Sequence, residues 1–277
     1  MNTRVMAHTG RRRIRRAANG TAVEGAARAG LTARGVIYLL VGILALQIGF
    51  GTGDRQADRG GALEELAGRP FGAVLLWALG AGLAGMALWR LSEAVFGASG
   101  KDGRTAKKRV PAAVRCVFYA FVAYSVLAFA AGSGDSGSSD RQSRDVTARA
   151  MEMPAGQWLV ALGGTAVVVA GVVIAVQALR RSYHKKLKLG ALGPRVRRLI
   201  DVTGVGGGVA RGVVFAAAGA FAVRAAVDYE PDRAKGLDDT LRSFASTPLG
   251  PWLLVGVAAG LVLFGAFSFA LARWRRV

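Results

Sequence analysis

The chain has 277 residues, 52% of them hydrophobic, a mean hydropathy of +0.35, and 37 Lys and Arg against 17 Asp and Glu. Apolar content at that level, with charges gathered into blocks, excludes an ordinary soluble domain, whose every element keeps a wet, charged face. The single cysteine, Cys116, excludes an internal disulfide.

Residues 1–27 form a basic arm that contains Arg11-Arg12-Arg13-Ile14-Arg15-Arg16. The stretch after it is interrupted by Asn19, Gly20 and Glu24, so it makes no apolar core of a secretory signal. A disordered cytoplasmic arm is expected here, drawn to anionic lipid by about 1 kcal/mol per basic residue near the surface. Nucleic acid is not an expected partner; the bilayer is.

The first apolar segment opens on Arg34-Gly35-Val36-Ile37-Tyr38. That opening returns as Arg115-Cys116-Val117-Phe118-Tyr119 and as Arg211-Gly212-Val213-Val214-Phe215. A Pro-x-Gly follows each Arg by 36 to 39 residues and begins a second apolar segment: Pro70-Phe71-Gly72, Pro154-Ala155-Gly156 and Pro248-Leu249-Gly250. Residues 153–179 and 243–272 hold no charged side chain, and about 20 apolar residues span a bilayer core. The remaining apolar runs are shorter, with arginines at their ends that can snorkel to the headgroups. An all-α membrane protein is predicted, with six transmembrane helices built as three tandem two-helix hairpins in a pseudo-threefold arrangement. Repeat 1 covers 28–100 (helices about 31–50 and 70–95), repeat 2 covers 107–190 (about 111–131 and 154–180) and repeat 3 covers 195–277 (about 208–227 and 248–272).

Charge orients the helices. The arm, the two segments that join repeats and the tail hold 27 Lys and Arg with 4 acidic residues, whereas the three loops inside the repeats hold 10 and 13. Basic loops stay cytoplasmic, so both termini are expected inside, in a bacterial cytoplasmic membrane. In the outer loops, residues 61–67 predict two helical turns with Leu63, Leu66 and Ala67 on one side, echoed by Leu237, Leu241 and Phe244. The Asp-Arg pairs beside them, Asp58-Arg59, Asp140-Arg141 and Asp232-Arg233, read as loop polarity, because adjacent residues do not face each other on a helix. Pro at the start of each second helix suits the first helical position, which needs no donor. Residues 194–200 read as a short interfacial helix, and Gly204-Val205-Gly206-Gly207-Gly208 as a flexible entry to helix five. Small residues four apart, Gly208/Gly212, Gly256/Gly260 and Gly80/Ala84, read as close-packing positions.

The repeated Arg-Gly-Val opening, the Pro-x-Gly and the Trp89-Arg90-Leu91-Ser92-Glu93-Ala94 end of helix two together resemble a bacterial membrane family known as domain of unknown function 1206. The resemblance covers residues 28–277 as three copies; the second departs at Cys116, where Gly is expected, and at Gln177, where the first copy has Glu93. It implies a fold and a membrane address, and no activity.

Two sets of side chains carry candidate chemistry. Arg34, Arg115 and Arg211 stand at equivalent points of the three repeats and are candidate contacts for anions or lipid headgroups; as topology anchors they would do no more than reach phosphates. Arg90 and Glu93, three apart on one helix face, are a candidate intramembrane polar pair. His8 and His184 lack companions at metal-ligand spacing, no Gly-x-Ser-x-Gly occurs, and neither a catalytic residue, a metal nor a cofactor is expected. The expected function is a non-catalytic structural or partner-binding membrane protein, with a membrane protein as a further partner. The alternatives are a pore or anion transporter along the pseudo-threefold axis, wet at mid-helix, and an enzyme acting on lipid.

Overall fold

The computed structural model describes residues 21–52, 55–97, 105–133, 137–187, 190, 192–246 and 250–275. Among them are nine α-helices: α1 (Thr21–Gly49), α2 (Arg59–Ala67), α3 (Gly72–Phe96), α4 (Ala106–Ala130), α5 (Ser139–Met151), α6 (Gly156–Leu179), α7 (Pro194–Asp228), α8 (Leu237–Ala245) and α9 (Gly250–Trp274). Six of these, α1, α3, α4, α6, α7 and α9, are long and apolar enough to cross a membrane. The protein is an all-helical, multi-pass membrane protein. The short helices α2, α5 and α8 lie at the end where the acidic loops gather (the acidic end); α1 begins and α9 finishes at the opposite, basic end.

The closest helix pairs are α6 with α7, α1 with α9 and α3 with α4; α7 with α9 and α1 with α3 follow. The spanning helices therefore run in the order α4, α3, α1, α9, α7, α6. The three closest pairs each join different repeats. The hairpin of the middle repeat, α4 and α6, is not closely packed. Close approach depends on small residues, since apolar side chains gain nothing by leaving lipid for one another. On α6 the buried residues are Gly156, Gly164, Gly171 and Ala178, and the last three meet Gly219, Gly212 and Gly208 of α7. A Cβ on Gly171 would stand 2.5 Å from the Ala216 backbone nitrogen. Of the positions expected to pack, Gly80 faces Leu127 and Gly260 faces Ala210, but Gly256 is exposed and a Cβ added there would meet nothing within 4 Å. The middle of the bundle is a buried apolar core of Val41, Leu44, Ala45, Val214, Leu254 and Leu261.

Helix α1 starts at Thr21, earlier than the expected position near 31. The Glu24–Arg28 pair at 2.6 Å supports its first turns, and Arg28 Nη1 donates to the Ala272 and Arg273 carbonyls at the end of α9, each at 3.0 Å. A cation at a helix C-terminus satisfies orphan acceptors and opposes the dipole. Residues 1–20 of the arm lie outside the described residues.

The Pro-x-Gly turns differ from expectation. Helices α3 and α6 begin at Gly72 and Gly156, with Phe71 (φ 63°) and Ala155 (φ 61°) as left-handed caps, so the proline precedes the helix. The following Gly is required because a Cβ there would lie 2.4 Å from the Ala67 carbonyl oxygen in repeat 1 and 1.8 Å from that of Ala150 in repeat 2. Pro248 and Leu249 lie outside the described residues, but Gly250 makes the same approach, 1.9 Å from the Ala245 carbonyl oxygen. The motif folds the spanning helix back onto the short helix before it.

Neither the separate interfacial helix at 194–200 nor the flexible glycine entry is present. Helix α7 runs unbroken for 35 residues, about 52 Å at 1.5 Å per residue, from Pro194 at its first position. Gly204 packs on Tyr183 and Phe267, and Gly207 on the Phe264 backbone, so packing outweighs the entropy cost of these glycines.

Two of the aspartates read as loop polarity, Asp58 and Asp140, are instead buried connectors, joined by the buried Asp238 of α8, whereas Asp232 is exposed as expected. Asp58, fully buried, accepts from Gly61 N–H at 3.0 Å, capping α2, and from Ser139 N–H at 2.6 Å in the next repeat. Asp140 accepts from Asp239 N–H at 3.1 Å, and Asp238 from Ala57 N–H at 2.7 Å. The three bonds form a closed cycle through the three repeats. Burial, with Asp239, Asp238 and Asp58 nearby, pushes the Asp140 carboxyl up to about 6. Of the third Asp-Arg pair, Arg233 is bonded to Glu230 at 2.5 Å and to Asp228.

Candidate functional site

Arg34 lies 15 residues before the end of α1, Arg115 15 before the end of α4 and Arg211 17 before the end of α7. At 1.5 Å per residue all three stand about 22–26 Å from the acidic end. Against a hydrocarbon core of about 30 Å, that is the quarter nearest the basic end. The curved row of helices turns Arg34 and Arg211 inward: Arg34 lies within electrostatic range of Arg211, and Arg115 within range of both Arg90 and Arg211.

Aromatic and hydroxyl groups hold the two inner arginines. Arg34 Nε donates to Ser268 Oγ at 3.2 Å, and that hydroxyl donates in turn to the Phe264 carbonyl at 2.9 Å. Arg211 Nε donates to the Tyr38 hydroxyl at 3.0 Å. The Phe264 ring lies 5.1 Å from the Arg34 guanidinium and 5.0 Å from that of Arg211, and Tyr38 meets it edge-on at 4.7 Å. The Tyr119 hydroxyl completes the group beside Arg34. A planar guanidinium is weakly hydrated and stacks on rings, which is why arginine can occupy this depth where lysine would not settle. Arg115 differs: it is exposed at the flank of α4.

The second candidate set joins the first. Arg90 Nη1 donates to Glu93 Oε2 at 2.5 Å, with both side chains largely buried. The Trp89 ring lies 4.1 Å from the Arg90 guanidinium and 4.5 Å from that of Arg275, a residue the sequence reading passed over as part of the tail. Burial, and after it the charge of Arg90, holds Arg275 down to about 9. Arg275 also lies within range of Glu93, Arg34 and Arg115. Among the described residues, five guanidinium groups thus share one neighbourhood with a single carboxylate. Three of their N–H groups, Arg34 Nη2, Arg90 Nε and Arg275 Nε, are buried without a hydrogen-bond partner. An unsatisfied charged donor in a low-dielectric site is costly, and an oxyanion is the group that would satisfy several at once.

One further cluster escaped the sequence. His184 Nε2 lies 2.5 Å from Asp201 Oδ1, the Tyr183 hydroxyl donates to the same oxygen at 3.1 Å, and Arg181 stands 3.5 Å from Oδ2. His184 and Asp201 are 17 residues apart, on a 3₁₀ turn (Ser182–Lys186) and on α7, with no local spacing to signal the contact. No nucleophile accompanies the pair among these contacts.

A family model described as Domain of Unknown Function (DUF1206) matches residues 29–97, 110–181 and 206–275, one match per repeat. An uncharacterized protein, YxxB, of Bacillus subtilis (strain 168) is 30% identical over 243 residues, 87% of this chain and 87% of its own length. No solved structure matches the chain.

Proposed function

The chain belongs to the DUF1206 family, and on that footing we propose that it is a non-catalytic protein of the bacterial cytoplasmic membrane, with both termini cytoplasmic, that holds an oxyanion at its arginine cluster. The observation that carries this reading is the imbalance of five guanidinium groups and one carboxylate, with three buried donors left open. The chemistry suits a phosphate-class anion, on a lipid headgroup or free, because a tetrahedral oxyanion accepts several charge-assisted bonds together. The charge bias of the loops, 27 Lys and Arg against 10, supports the orientation. The three repeats stand about a pseudo-threefold axis; in support, the closest helix pairs join different repeats and the three aspartates bond cyclically. A membrane protein presenting a carboxylate or phosphate is the expected class of partner, and nucleic acid is not.

The pore reading requires water at the middle of α1 and α4, where Val41 is 1% and Val122 is 6% exposed among apolar neighbours. The enzyme reading requires a nucleophile or general base at the cluster, where Glu93 is occupied by Arg90.

The test is binding of inorganic phosphate, and separately of phosphatidylglycerol, to the purified full chain in phosphatidylcholine nanodiscs, followed by Trp89 fluorescence and native mass spectrometry. Binding of either ligand that weakens at least about tenfold in Arg34→Gln and Arg211→Gln supports the reading. Binding that is absent, or that both variants retain at parental strength, refutes it.

A further inference from the structure

A groove of about 660 Å³ opens at the basic end, between the turn that follows α6 and the first three turns of α7. It is separate from the arginine cluster. Arg181, Arg197 and Arg198 stand over it with one carboxylate, Asp201. That carboxylate is already engaged by His184, by Tyr183 and, at 3.5 Å, by Arg181. Arg197 and Arg198 have no carboxylate partner among the described residues and are exposed. The groove is therefore cationic on balance, and the two contacts of Asp201 with Tyr183 and His184 clamp the 3₁₀ turn to α7 and hold its wall in place.

Two more features point to a ligand. Arg181 takes a left-handed φ of 49°, a conformation that strains a residue with a Cβ. Glycine would take that turn freely; the residue there is instead an arginine, which lines the groove. The floor then changes character along α7. Below the arginines the lining becomes Val202, Val205 and Gly206, with Val202 54% exposed. Counting about 20 residues back from the end of α7 at Asp228 places Gly206 near the edge of the hydrocarbon, so the apolar end of the groove opens toward acyl chains, and Arg197 and Arg198, about 12–14 Å further along α7, stand on the headgroup side of that edge.

We propose that this groove binds an anionic phospholipid of the leaflet at the basic end. Arg181, Arg197 and Arg198 receive the phosphodiester, and Val202, Val205 and Gly206 receive the first methylenes of the chains. A free phosphate ester would use the arginines and leave the apolar floor wet; a membrane lipid uses both, which is why a lipid is the occupant. A volume of this size accommodates a headgroup with its glycerol and the start of two chains. The arginines supply planar donors suited to a phosphate, and their pull on anionic lipid is added to by the basic residues around them.

The experiment uses the full chain, purified in detergent, and native mass spectrometry with added phosphatidylglycerol, phosphatidylcholine or glycerol 3-phosphate. The lipid bound at the groove is read as the difference between the parent and Arg197→Gln/Arg198→Gln, two exposed positions whose change leaves packing intact. The expected result is binding of phosphatidylglycerol in preference to phosphatidylcholine, weakened at least about tenfold in the double variant. Arg34→Gln leaves this difference unchanged, which separates the groove from the central cluster. Val202→Gln weakens phosphatidylglycerol binding while leaving any binding of glycerol 3-phosphate unaltered. Equal binding of phosphatidylglycerol by parent and double variant overturns the proposal. So does glycerol 3-phosphate displacing the lipid at equal concentration, which would assign the groove to a soluble ester.

Discussion

Replacing Asp140 by Asn tests how the acidic end is held together. Asp140 is 6% exposed and faces Asp239, Asp238 and Asp58, with Arg141 and Arg144 in the same cavity and Arg144 bonded to Asp239 at 2.5 Å. Burial and the neighbouring carboxylates lift its carboxyl from 3.8 to about 6. Folding therefore holds a proton on Asp140 that the unfolded chain has already lost between about pH 4 and 6. Stability falls as pH rises through that window and stays lower above it. Two pH units at about 1.4 kcal/mol each set a ceiling near 3 kcal/mol, and water at the loop surface reduces this to about 1–2 kcal/mol. Asn stays neutral and keeps an oxygen to accept from Asp239 N–H. In thermal unfolding of nanodisc-embedded protein, Asp140→Asn should be more stable than the parent at pH 7.5 by about that amount, and equal to it near pH 4. A variant that is no more stable at pH 7.5, or that keeps the parental slope between pH 4 and 6, refutes the reasoning.

Other outcomes follow from the same contacts. Gly156→Ala would place a Cβ 1.8 Å from the Ala150 carbonyl oxygen and should cost about 3 kcal/mol or more, whereas Ala155→Gly relieves a left-handed φ of 61° and should stabilise by about 1 kcal/mol; guanidinium or detergent unfolding of both separates strain from packing. Glu93→Gln removes the one carboxylate of the arginine cluster, so oxyanion binding should tighten severalfold while stability drops, the reverse of what a proton carrier would show. Because burial and the charge of Arg90 hold Arg275 down to about 9, oxyanion affinity measured by tryptophan fluorescence should decline as pH rises from 8 to 10, and Arg275→Lys should shift that decline to lower pH, since an ammonium starts from a lower pKa and gives up its proton more readily on burial. Arg28→Ala should lower stability by about 1–2 kcal/mol through the freed Ala272 and Arg273 carbonyls, read as an earlier unfolding midpoint.

Composition, repeat and charge bias were enough to specify the class of fold, since a bilayer demands long apolar helices and satisfies their backbone only within each segment. The threefold return of Arg34, Arg115 and Arg211 was visible because the repeats align without any knowledge of contacts. The arrangement of helices was not visible, because packing in lipid is decided by where small residues meet, and Gly171 finds Gly212 only across two repeats. For the same reason Gly204 to Gly208 looked like a flexible entry to a helix and proved to be a contact surface under Tyr183, Phe267 and Phe264. Asp58 and Asp140 looked like loop polarity because a hydrogen bond to the backbone of another repeat leaves no local spacing to read. Arg275 joined Arg90 and Trp89 by the same route, from the far end of the chain. Local sequence chose helices, caps and depth in the membrane; long-range contact between residues up to two repeats apart decided which charges share a site.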